Sequence, residues 1–138
     1  MCYTNQMVRT KEQANVLNGK CPSQQVLDLV ADRWSALAIY CLSKGTRRNS
    51  DLMRQIGGVS QKMLTQTLRR LEQNGIVSRK VYPVTPPHVE YSLTALGASL
   101  TAPLKTLCEW AQNHMGEVQR ARARHQQQEE KRDPVAEA

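Results

Sequence analysis

The stretch from Ser60 to Tyr91 limits the possible folds of this chain most. SQKMLTQTLRRLEQNG runs directly into IVSRKVYPVTPPHVEY. Leu64, Leu68 and Leu71 recur at i, i+4 and i+7, which places one narrow apolar stripe on a helix. The opposite face carries Gln61, Lys62, Thr65, Gln66, Arg69 and Gln73. Ile76, Val77, Val81 and Tyr82 are β-prone, as are Val89, Tyr91 and Leu93. Proline cannot donate to a sheet ladder, so Pro83, Pro86 and Pro87 belong to the loop between two strands. The pattern is a helix with a polar, cationic outer face followed at once by a basic hairpin.

The flanking segments supply the rest of a fold. Residues 1–20 are polar with scattered Met7, Val8, Val16 and Leu17, and read as an arm or short helix. Pro22 suits a helix's first turn, where its missing N–H costs nothing. Ser23–Lys44 is helical by pattern, with Leu27, Val30, Trp34, Leu37 and Cys41 inward and a break near Asp32–Arg33. Asn49 or Ser50 caps a short helix, SDLMRQI, that ends at Gly57–Gly58. Ser60 caps the next one, so two short helices flank a glycine turn, as in a helix-turn-helix. Thr94 caps a final helix in which Leu96, Leu100, Leu104, Leu107, Ala111, Met115 and Val118 follow a near-heptad rhythm, with Pro103 kinking or dividing it. The fold class is therefore mostly α with a small β-hairpin wing (α+β), a winged helix-turn-helix. Residues 119–138 are charged and Gln-rich with no apolar stripe, and read as a disordered tail.

Charge distribution says more than total charge. The chain has 19 Lys+Arg against 12 Asp+Glu, a net +7. Between Lys44 and Lys80, nine cations face only Asp51 and Glu72, so positive charge concentrates on the helix and wing. Four scattered cysteines form no Cys-x-x-Cys and have no nearby His pair, so no metal site and no cofactor is expected. No run of apolar residues has the length of a signal or membrane segment, which points to the cytoplasm, where thiols start reduced. An enzyme is not expected. His88, His114 and His125 lack the context of a cysteine hydrolase, and Gly57–Gly58 lacks the Lys-Ser/Thr of a phosphate-binding loop.

Cys21–Pro22, Asp32–Arg33–Trp34, Arg48-Asn-Ser-Asp-Leu52, Ser60-Gln-Lys-Met-Leu64, Leu68-Arg-Arg-Leu71, Asn74-Gly-Ile76 and Pro87-His-Val-Glu-Tyr-Ser-Leu-Thr94 follow in order, with Gly97 and Trp110 after them. This series resembles the HxlR-type winged-helix regulators, relatives of the MarR group, over roughly residues 21 to 115. The chain departs from the family at two places. Asp32–Arg33–Trp34 stands where the family usually has Gly-Lys-Trp, and Asn49 stands where an aromatic residue is usual. The resemblance implies a homodimeric bacterial transcription regulator with one reading helix per subunit, built on a domain spanning residues 21–118.

Each candidate residue then has an expected role. Gln61, Lys62, Thr65 and Gln66 suit base edges in the major groove, since Gln pairs with adenine, Lys with guanine and the Thr methyl with thymine. Ser60 and the helix N-terminus suit a phosphate. Arg48, Arg69, Arg79, Lys80 and His88 would hold the backbone or probe the minor groove from the wing. The dimer would form through the terminal helix, at Leu100, Leu104, Leu107 and Trp110, with the N-terminal arm contributing. The expected partner is an inverted-repeat operator in double-stranded DNA. A winged-helix module for RNA or protein without operator specificity is the alternative. Cys21 stands at a helix start beside Lys20, and both features favour the thiolate. The resemblance implies an oxidant or electrophile sensor at this position; the competing reading is an inert, partly buried thiol. Cys41 reads as packing. Cys108 could pair across subunits but reads better as buried, and Cys2 could form an incidental disulfide.

Overall fold

The computed structural model describes residues 14–132, in the order α1 (Ser23–Ala31), α2 (Arg33–Leu42), β1 (Arg47–Arg48), α3 (Asn49–Gln55), α4 (Gln61–Gln73), β2 (Val77–Tyr82), β3 (His88–Leu93), α5 (Ala95–Ala98) and α6 (Thr101–Arg132). The winged helix-turn-helix expected from sequence is present. The chain divides into two compact units, with the boundary between Thr101 and Ala102.

In the first unit, residues 14–20 form turns rather than a helix. Asn15 and Asn18 side chains accept from the backbone of Leu17 and Lys20 at 3.0 and 2.9 Å. The rest of the expected N-terminal arm, with Cys2, lies outside the described residues. The break expected near Asp32–Arg33 is present: the Asp32 backbone is extended and its carboxylate accepts from Ser35 N–H at 3.2 Å, capping α2. This break shifts the buried face. The expected stripe ran on through Leu27, but α1 buries no residue, with Val26 and Leu27 more than half exposed. In α2 the buried positions are Ser35, Ala36, Ala38, Ile39 and Leu42.

The helix-turn-helix is α3 and α4. Arg48, rather than Asn49 or Ser50, occupies the cap of α3, and its N–H donates to the Asp51 carboxylate at 3.3 Å. Ile56 and Val59 tuck into the core on either side of Gly57–Gly58, where Gly58 takes a positive φ of 88°. Leu52, Leu64, Thr67, Leu68 and Leu71 pack inward, and α2 lies against α4. Gly75, at φ 77°, ends α4 as expected and turns the chain into β2.

The sheet holds one strand that the sequence pattern did not announce. Its order is β1-β3-β2, all antiparallel, so the two-residue β1 adds an edge to the wing. Two residues carry no alternation to read, and Arg47 and Arg48 belong to the sheet only because β3 offers them a partner. Thr94 joins three elements: its hydroxyl donates to the Gly75 carbonyl at 2.6 Å, its backbone N–H donates to the Ile76 carbonyl at 3.1 Å, and its oxygen accepts from Gly97 N–H at 3.0 Å.

The second unit is the continuation of α6. The expected division near Pro103 falls slightly earlier, at Ser99–Leu100, which leaves Pro103 in the first turn of α6, where a proline breaks no hydrogen bond. The expected disordered tail is helical as far as Arg132; residues 133–138 lie outside the described ones. Ala, Arg, Gln, Glu and Lys dominate 119–132, and these are strong helix formers even where nothing is buried. The pairs His125–Glu129 and Arg132–Glu129, at 3.8 and 3.6 Å, add local support.

Candidate nucleic-acid interface

Helix α4 sorts its side chains by solvent. Leu64, Thr67, Leu68 and Leu71 are buried, while Gln61, Lys62, Met63, Thr65, Gln66 and Arg69 are exposed along the other side. Ser60 caps the helix, its hydroxyl accepting from Met63 N–H at 3.1 Å. Gln61 Nε2 donates to Thr65 Oγ at 3.0 Å, one turn along, which aligns two of the candidate base readers before any partner arrives. The unused backbone N–H groups and the helix dipole make this end attractive to an anion.

The wing register assigns each cation to a face, because directly opposed residues in a ladder share a side. One cross-strand row is Arg48, Glu90 and Lys80, and the next is His88 and Tyr82. The rings of His88 and Tyr82 stack with centroids 4.6 Å apart, Lys80 Nζ lies 4.9 Å from the Tyr82 ring centre, and His88 Nε2 is 3.5 Å from the Glu90 carboxylate. The opposite face carries Arg47, Tyr91 and Arg79 in one row. On that side Thr65, Arg69 and Glu72 of α4, with Arg79 and Tyr91 of the sheet, line a cleft of about 350 Å³.

The structure therefore brings Ser60, Gln61, Lys62, Thr65, Gln66, Arg69 and Arg79 to α4 and its cleft. It places Arg48, Lys80 and His88 together on the other face of the wing, around Glu90. Glu72, Tyr91 and Glu90 were not singled out from sequence. The spacing of Glu72, three residues after Arg69, was a readable signal; the position of Glu90 depends on strand register. Two of the nine clustered cations are internally paired: Arg54 with Asp51, and Arg70 Nη2 with Asp32 at 3.3 Å.

Cys21 lies just ahead of α1 with 3% relative exposure. The Ser23 hydroxyl donates to its sulfur at 3.0 Å, and the sulfur is disulfide-bonded. Cys41 and Cys108 are free thiols of intermediate exposure. Burial pushes the Cys41 thiol above the ordinary thiol range, with Lys44 and Arg47 pulling it partly back. Of the expected dimer residues, Leu104 is buried and Leu100 half-buried, whereas Leu107 and Trp110 remain 55% and 53% exposed. Among the described residues, no group of His, Cys, Asp and Glu could hold a metal ion, and no helix is long and apolar enough to cross a membrane.

Residues 29–119 match the HxlR-like helix-turn-helix family. This chain belongs to that family. The HTH-type transcriptional regulator YtfH of Escherichia coli is 48% identical over 107 residues, covering 78% of this chain and 85% of the relative. The solved structure of YtfH from Salmonella typhimurium superposes with a TM-score of 0.74 at 45% identity, over 80% of this chain and 98% of that one. The redox regulator HypR in its oxidized form gives a TM-score of 0.63 at 38% identity, over 67% and 96% of the two chains. Diamide-treated YodB from Bacillus subtilis gives 0.59 at 38% identity, over 70% and 96%. This HxlR-like chain is a transcriptional regulator with a winged helix-turn-helix domain, and its relatives are regulators rather than enzymes.

Proposed function

We propose that this HxlR-like protein binds double-stranded DNA sequence-specifically as a homodimer, on an inverted-repeat operator, with α4 in the major groove. The observation that carries this reading is α4 itself. Its capped, positive N-terminal end presents Gln61, Lys62, Thr65 and Gln66 to solvent, and Arg69 beside Arg79 offers phosphate contacts at its flank. The half-exposed Leu107 and Trp110 of α6 support a second copy as partner, and two-fold symmetry sets the half-sites about one helical turn (~34 Å) apart or a multiple of that.

The signal belongs to Cys21 on the same reading. A sulfur ahead of a helix N-terminus that receives a hydroxyl hydrogen bond and can enter a disulfide suits response to an oxidant or electrophile. The similarity to the redox regulator HypR and to diamide-treated YodB adds support. Selecting bound duplexes from a random pool, with and without diamide, tests operator and signal together. A shared inverted repeat that is lost on oxidation is expected. Equal capture of unrelated duplexes, or of single strands, would instead favour a module for RNA or protein.

A further inference from the structure

The family match ends at residue 119, yet α6 continues as exposed helix to Arg132. Residues 120–132 hold five Lys and Arg against two Glu. Their arrangement is not uniform. At 3.6 residues per turn, Arg120, Arg124 and Lys131 fall within about 40° of one another and span roughly 16 Å along the axis. Gln127 lies on the same line and Gln128 beside it. Glu129 projects from the other side, where it is paired with His125 and Arg132. Arg120, Arg124 and Lys131 are all exposed, and among the described residues none of them has an ion pair. The exposed apolar residues Leu107, Met115 and Val118 lie on the opposite side of α6 from this stripe.

We infer that the stripe Arg120–Arg124–Lys131 binds the phosphate backbone of duplex DNA flanking the operator. This inference rests on the operator reading above. Charge complementarity argues for a polyanion: the stripe itself is cationic, Glu117 and Glu130 stand only at its margins, and the amides of Gln127 and Gln128 can donate to phosphate oxygens. Lipid fits poorly because the stripe's neighbours are Gln and Ala rather than large apolar groups, and single-stranded nucleic acid fits poorly because His125 is the one ring side chain within residues 120–132, while His114 is already stacked on Trp110. If the apolar side of α6 is taken by a second copy, the stripe stays exposed, and a dimer carries two of them.

The test uses the full chain, native and as the triple variant R120Q/R124Q/K131Q, which keeps good helix formers at every site. Each protein is titrated with a short duplex holding only the selected half-sites and with one extended by about 15 base pairs of arbitrary sequence on each side. The native protein should bind the longer duplex roughly tenfold more tightly at low salt, and the variant should lose that gain while binding the short duplex normally. On the longer duplex, the slope of log K against log salt should fall by roughly 2 to 5 in the variant. A variant that keeps the gain, a native protein that shows none, or an equal loss on both duplexes overturns the assignment. Stripe-dependent binding of anionic vesicles or single-stranded RNA, with no flank gain, overturns it as well. Failure of the native protein to select any site counts separately against the operator reading.

Discussion

Arg79 and Lys80 are adjacent in sequence, yet strand alternation sends their side chains to opposite faces of the wing. Arg79 shares a cleft with Thr65, Arg69 and Glu72 of α4, whereas Lys80 sits in the row with Glu90 and Arg48. On the proposed reading these positions differ in what their loss does. Lys62→Ala or Gln66→Ala should relax base preference, each at a cost of about 1–3 kcal/mol on the best site. Arg79→Ala should weaken binding to all duplexes alike and reduce the salt slope by about 1. Competition binding against operator variants separates the two patterns; the same uniform loss from both kinds of change would remove α4 as the reader. A second prediction at this scale concerns Cys41. Its raised thiol pKa means that the protonated form persists to higher pH than in an unfolded chain, so the nucleophilic thiolate is scarce near neutrality. Iodoacetamide should therefore label native Cys41 more slowly than denatured Cys41 at pH 7–8, and the gap should narrow as pH rises. Mass spectrometry of the Cys41 peptide provides the measurement, and equal rates at pH 7 would refute the burial argument.

Elements were legible where a local chemical signal closed them. Ser60 and Thr94 announced helix starts, Gly58 and Gly75 announced ends, and the prolines confined the hairpin loop. What stayed hidden depended on partners. The strand at Arg47–Arg48 exists because β3 pairs with it, and the sorting of wing cations onto two faces follows from register. The break at Asp32 is legible, but the buried face of α2 is not: one 3–4 period run through the break points to Trp34, Leu37 and Cys41, whereas Ser35, Ala36, Ala38, Ile39 and Leu42 are buried. The helix beyond Val118 was missed because an apolar stripe is a sign of packing, and a helix rich in Ala, Arg and Gln can form without one. Gly97 was legible as a residue of the family pattern, but its physical reason appears only in the fold. A Cβ there would come within 2.1 Å of the Ile76 carbonyl oxygen, which is already held by Thr94. Neither group can retreat without opening the junction between α4, β2 and α5. Gly97→Ala should destabilise the protein by about 1–3 kcal/mol or more. Gly57→Ala, where the added methyl meets nothing within 4 Å, should stay within about 0.5 kcal/mol. Urea unfolding of the two variants compares them directly.

At the scale of the whole molecule, the proposed reading calls for a second copy and a switch. Leu107 and Trp110 leave apolar surface on α6, so Leu107→Glu/Trp110→Glu should shift sedimentation toward monomer and cost most of the affinity for an inverted repeat, while leaving the fold intact. A variant that remains dimeric would move the interface elsewhere. The switch can be tested in the same dimer. Cys21 lies just ahead of α1, α1 packs on α2, and the cap of α2 is Asp32, whose carboxylate receives Arg70 from α4. A change at the Cys21 sulfur therefore has a contiguous route of packed and bonded groups to α4. Cys41 and Cys108 are free thiols; Cys108 lies on α6, outside that route, and Cys41, at the far end of α2 from Asp32, is held in its less reactive form. Diamide should accordingly release the reduced protein from its operator, and a reductant should restore binding. Cys21→Ser should bind the operator with diamide present or absent, whereas Cys41→Ser and Cys108→Ser should respond as the native chain does. A Cys21→Ser protein that still lets go of DNA on oxidation would assign the switch to another thiol and leave α1 a purely structural part of the domain.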